Sequence, residues 1–133
     1  MGNEIIKTTD NGMQIAGVDM NSFEGTLQVT QALTVAASLD KTVADGQAFE
    51  FTGAVFKDGI NDNTGEPCKE SYFLMRDGSA LFSKSRGIYD SAMQILGIMG
   101  GWLSNGLWVV VVSQPTGRGN TIKLLKPIAP PAE

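Results

Sequence analysis

The chain has 133 residues, a net charge of −4, no histidine and a single cysteine. That length suits one domain able to bury about two thirds of the surface its unfolded form exposes, with no need of a metal or disulfide to fold. Lack of histidine excludes imidazole acid–base chemistry, Ser-His-Asp and Cys-His nucleophilic sites and histidine-containing zinc sites, and Cys68 alone can form neither an intrachain disulfide nor a thiolate cluster.

The first segment, MGNEIIKTTD, has no apolar stretch of the signal-peptide kind, and the longest apolar run, Leu107 to Val112, is far below the roughly 20 residues of a spanning helix. A cytoplasmic protein that enters no membrane is expected. Residues 1–56 carry two bases against seven acids, and residues 57–126 carry eight bases against six acids. An acidic protein with a locally basic second half results, because charges separated by more than about 8–10 Å are screened from one another. A mixed, solvated surface fits the same counts.

In chain order, residues 1–25 are polar and punctuated by Asn11-Gly12, Gly17 and Gly25, and read as a flexible arm with one short strand. Over residues 26–37, TLQVTQALTVAA, the alternation of Leu27, Val29, Leu33 and Val35 with Gln28, Thr30, Ala32 and Thr34 predicts a half-buried strand. Residues 40–46 form a turn-rich connection. A second strand carries Phe49, Phe51 and Val55, with Gly53 marking a bulge or sharp bend.

Asp58 to Pro67, DGINDNTGEP, lacks periodicity and reads as a long loop or the tip of an extended hairpin. Lys69 to Met75 returns as a strand, with Tyr72 and Leu74 on one face and Phe73 and Met75 on the other. Asp77-Gly78 predicts a two-residue turn with positive φ at both positions, leading into a strand over Ala80 to Lys84. Ser85 reads as the N-cap of a helix with apolar Ile88, Ala92, Ile95, Leu96 and Met99, closed by Gly100-Gly101. Leu107 to Ser113 is a buried strand, Thr121 to Leu125 the last one, and residues 127–133 a proline-rich tail.

The loop acids Asp58, Asp62 and Glu66 do not make a calcium loop, because Ile60 stands at a ligand position and Asn63 where glycine is needed. Gly117-Arg118-Gly119 lacks the remaining glycine and the helix of a dinucleotide fingerprint, and no phosphate-cradling GxxxxGK[ST] run exists. No enzyme and no cofactor are expected. What remains is a set of bases and rings on strands: Tyr72, Phe73 and Arg76, then Phe82, Lys84 and Arg86, then Trp108, Arg118, Lys123 and Lys126. Rings stack on bases at about 1–3 kcal/mol each while Lys and Arg line a phosphate path. Phe49, Phe51 and Trp108 read as core; for Tyr72, Phe73 and Phe82 both readings stay open.

The element order, two long strands, an extended hairpin, one helix and two closing strands, is that of a mainly β, five-stranded OB-like barrel with its helix between the third and fourth barrel strands. The expected domain spans 26–126, between the arm (1–25) and the tail (127–133). The run YFLMRDGSALFSKSRGIYDSAMQILG, followed by LWVVVVSQPTGRGNTIKLLKP, resembles the OB-fold single-stranded DNA-binding proteins of bacteriophages and mobile elements. In those, a strand pair ends in a Ser-Lys-[Ser/Gly] step, a helix follows, and a hairpin with a basic, glycine-rich tip closes the barrel.

The resemblance implies a viral protein that coats displaced single strands during DNA replication or recombination, as homodimers or cooperative arrays, alongside replication proteins in the host cytoplasm. It implies backbone contacts at Lys84, Arg86, Arg118 and Lys123 and stacking by Tyr72, Phe73 or Phe82. Arg76 joins them by its place on the strand pair. The acidic first half and the absence of a distinctly acidic C-terminal tip depart from the pattern. The alternative is a structural β-domain of a virus particle, a decoration or tail component.

Overall fold

The computed structural model describes residues 6–9, 12–115, 117, 119 and 121–130. The chain is mainly β, with nine strands in two sheets and few helices among the described residues. Strands β1 (Ile6–Thr8), β2 (Gln14–Ala16), β5 (Gly53–Ile60), β6 (Pro67–Leu74), β7 (Ala80–Ser83) and β3 (Ala37–Ser38) form a six-stranded sheet in the order β1-β2-β5-β6-β7-β3. Strands β4 (Ala48–Phe51), β8 (Leu107–Pro115) and β9 (Thr121–Ile128) form the second, in the order β4-β8-β9. The ladders do not close into a five-stranded barrel, because β7 and β9 are not paired. The arm expected over residues 1–25 instead places Ile15 and Ala16 in the core, paired with Val55 and Ala54.

The strand expected over residues 26–37 is a helix, α1 (Phe23–Val35). Ser22 caps it, its hydroxyl accepting the Gly25 N–H at 2.9 Å. Its buried stripe is Gly25, Val29 and Ala32, with Leu33 and Ala36 beside it, while Leu27 and Val35 point to solvent. Small residues make the contact, so the large ones happened to alternate. Within the expected turn at 40–46 lies one helical turn, α2 (Leu39–Thr42), whose Leu39 is fully buried.

At Gly53 the bend is real and changes the sheet: β4 pairs with β8, and β5 with β6. The stretch 58–67 is an extended hairpin, paired out to Ile60 and Pro67. At the next hairpin only Gly78 has positive φ, +90°, and Asp77 does not. Asp77 instead turns its carboxylate onto the Ser79 N–H at 2.9 Å, making a three-residue loop rather than a two-residue one.

Helix α3 (Arg86–Met99) starts as expected at Ser85, whose hydroxyl accepts the Ile88 N–H. It does not end in a left-handed glycine at Gly100, which stays right-handed at φ −59°, and the chain runs on as a 3₁₀ helix, Gly100–Asn105. The left-handed step comes at Gly106, φ +93°. Strand β9 continues through Pro127 and Ile128, residues expected in the tail, and proline is tolerated because the strand is an edge.

Two apolar layers sit on opposite faces of the large sheet. Between the sheets and α3 lie Phe49, Phe51, Phe56, Phe73, Ile88, Leu96, Val109 and Val111; under α1 lie Ile15, Val29, Val55, Tyr72, Leu74 and Ala80. Helix α3 covers the unpaired edge of β9. Its Ser91 hydroxyl accepts the Leu125 N–H at 2.9 Å and donates to the Gly87 carbonyl at 2.7 Å. Among the described residues no helix is long and apolar enough to cross a membrane.

Candidate nucleic-acid interface

Adjacent residues of a strand face opposite ways, so Tyr72 and Phe73 cannot share a surface. Phe73 points inward and is fully buried, its ring 5.1 Å from Phe51 and 5.9 Å from Phe49. It is a core residue and offers no face to a base. Tyr72 lies on the outer face opposite Phe82 of β7, the rings stacked at 5.7 Å and 22°. Tyr72 is only 7 % exposed, because α1 packs over it, whereas Phe82 is half-buried. Burial, then the neighbouring Glu70 charge, pushes the Tyr72 phenol up to about 12.

The same face carries Glu70 two residues before Tyr72, and its cross-strand neighbour Lys57 on β5. Glu70 is buried at 8 % exposure, yet it holds the Lys57 ammonium at 2.8 Å and accepts the Tyr72 hydroxyl at 3.1 Å. Lys84, just past β7, approaches the other carboxylate oxygen at 3.8 Å. The structure thus brings together Tyr72, Phe82 and Lys84 of the sequence candidates. It adds Lys57 and Glu70, which sequence reasoning missed. Their signal was the register of the 58–67 hairpin, and a one-residue slip of that register would have sent both to the other face.

The remaining candidates lie elsewhere. Arg76, in the loop after β6, pairs with Glu50 at 2.9 Å and donates to the Asn105 carbonyl at 3.1 Å; the Glu50 hydrogen bond and charge raise its pKa. It borders a groove of about 510 Å³ floored by Val43, Phe49 and Leu81 and edged by Trp108. Arg86 opens α3 on the opposite side of the sheet, paired with Asp90 at 2.9 Å and lying over the Tyr89 ring at 5.6 Å. Lys123, on β9, stands 3.7 Å from Asp40 and 3.9 Å from Asp45. Arg118 lies outside the described residues.

The loop acids are used as partners of cations: Asp58 of Lys69, whose pKa that hydrogen bond raises, and Asp62 of Lys84. No group of three or more metal-ligating side chains occurs among the described residues. Chemically, this face leaves the half-buried Phe82 ring, at the margin of the layer under α1, beside two ammoniums, which suits recognition of one flat ring with an attached anion. Comparison with protein-family models, curated proteins and solved structures finds no match.

Proposed function

We propose that this protein is a non-enzymatic binder of single-stranded DNA that coats strands during replication or recombination, as the phage-type proteins it resembles do. The observation that carries the reading is the stacked Tyr72–Phe82 pair flanked by Lys57 and Lys84 on one sheet face. The strand order gives further support. With β4 and β5 taken as one strand bent at Gly53, the ladders β5–β6, β6–β7, β4–β8 and β8–β9 follow the neighbour order of an open five-stranded OB barrel, in which only the β7–β9 seam is missing. In such a barrel the face of the second and third strands and the loops after the first and fourth bind oligonucleotides. Among the described residues those are the β6–β7 face and the 61–66 tip.

Binding would combine one base stacked on Phe82 with phosphate neutralisation, and proceed as dimers or arrays with replication proteins as partners. Titration of the intrinsic tryptophan and tyrosine fluorescence with single-stranded and duplex oligonucleotides at two salt concentrations tests it. Single strands should win, and Lys84→Ala should lower the salt slope by about one unit. Equal affinity for both forms overturns the reading.

A second reading, a virus-particle β-domain, is favoured by one observation: Ile98 at the end of α3 and Trp102 in the 3₁₀ helix that follows are both exposed. It requires assembly without nucleic acid, which light scattering would detect.

A further inference from the structure

Two lysines converge on one buried carboxylate, and among the described residues the excess positive charge is closed by an exposed acid. Glu70 anchors Lys57 at 2.8 Å, faces Lys84 at 3.8 Å and accepts the Tyr72 hydroxyl at 3.1 Å, its side chain lying over Gly59 and only 8 % of the residue exposed. The cluster is therefore built. Lys84 also donates to the Ile60 carbonyl at 3.1 Å and to Asp62 at 3.3 Å. Asp62, on the hairpin tip, has a side chain 89 % exposed. Ion pairs of that exposure are weak, so an anion with more charge and more oxygens can replace the carboxylate.

We propose that Lys57 and Lys84, positioned by Glu70, form a phosphate-binding site in which the Asp62 carboxylate is the resident anion that a phosphate displaces. The site rests on the single-strand reading for the source of its ligand, a backbone phosphate. Its location fits that source: the Tyr72 hydroxyl hydrogen-bonds the same Glu70 carboxylate, and the Tyr72 ring stacks on Phe82. A nucleotide laid on Phe82 brings its phosphate to the two ammoniums.

The test uses the full chain and two probes, a twelve-residue oligo-dT and inorganic pyrophosphate. Asp62→Asn should tighten oligo-dT binding about twofold to fivefold, the worth of one exposed ion pair. Lys57→Ala should lower the salt slope by about one unit, and Lys57→Arg should restore it. Pyrophosphate should shift the backbone amide resonances of residues 57–62 and 84. Wild-type affinity and slope in both Asp62→Asn and Lys57→Ala, with oligo-dT bound, overturn the site and leave the single-strand reading standing. Pyrophosphate shifts in a protein that ignores oligo-dT keep the phosphate site and sink the single-strand source. If neither probe binds, the site is wrong.

Discussion

Two glycines on α3 should respond to the same substitution with opposite signs. A Cβ built on Gly87 would lie 2.4 Å from the Lys123 carbonyl oxygen and 3.1 Å from a Leu124 methyl, whereas one on Gly97 meets nothing within 4 Å. Ordinary contact begins near 3.4 Å, so Gly87→Ala must push the first turn of α3 off β9 by about 1 Å. That shift stretches the 2.9 Å bond between Ser91 and the Leu125 N–H beyond hydrogen-bonding range. An unsatisfied buried N–H costs about 1–3 kcal/mol, and loosened packing at the fully buried Ile88 and Ala92 adds to it. The opposing gain in helix propensity is at most about 1 kcal/mol. Gly87→Ala should therefore destabilise by about 1–3 kcal/mol, and Gly97→Ala should stabilise by about 0.5–1 kcal/mol. Urea unfolding would separate the two midpoints by about 0.5 M or more, given slopes of about 1–3 kcal/mol/M. If Gly87→Ala is as stable as the parent, α3 does not sit against the β9 edge at this range.

Phe73→Ala should cost about 3–5 kcal/mol, because the ring packs among Phe49, Phe51 and Phe56 with no solvent access. A variant that melts like the parent yet loses oligonucleotide affinity would return Phe73 to the binding surface. Tyr72 makes stability depend on alkaline pH. The unfolded chain releases this phenolic proton near about 10, while the folded protein holds it to about 12. The folded state thus binds more protons in that window, so the contribution is complete below about pH 10 and is lost as pH climbs toward 12. Urea midpoints between pH 9 and pH 11.5, scored as parent minus Tyr72→Phe, should fall; a difference independent of pH would contradict the burial of that hydroxyl.

The parts of the fold legible in the sequence are those specified by neighbours in the chain. Ser85 followed by apolar residues at helical spacing identifies α3, and LWVVVVS identifies β8, since each signal is contained in one element. Helix α1 was hidden because Val29 and Leu33 satisfy both a two-residue and a 3.6-residue period. The residues that decide between them, Gly25, Ala32 and Ala36, are too small to register as apolar signal. The termination of α3 was misread for a related reason: Gly100 permits a left-handed turn without requiring one, and the buried Gly100 and Leu103 draw the chain onward. The pairing of β4 with β8 joins residues 56 to 62 positions apart, which no local pattern encodes. At the site, alternation showed that Tyr72 and Phe73 face opposite ways. Deciding which ring is enclosed required knowing where the second sheet lies.

Pairing with acids does not remove the cations from a binding role equally, and exposure separates them. Arg86 and Asp90 are both largely in water, as is Asp62 beside Lys84, so these pairs exchange partners cheaply. Arg76 differs. Its guanidinium joins Glu50 of β4 to the Asn105 carbonyl at the end of the 3₁₀ helix, and a Cβ on Gly106 would come within 2.9 Å of its terminal nitrogen and 1.9 Å of the Glu50 carboxylate. Three segments meet there around one side chain, and Glu50 is mostly enclosed. Arg76→Ala should therefore lower the urea midpoint and leave the salt slope of oligo-dT binding unchanged, while Lys84→Ala should do the reverse. A lowered slope in Arg76→Ala at parental stability would move the phosphate path to the Trp108 groove and away from the β6–β7 face.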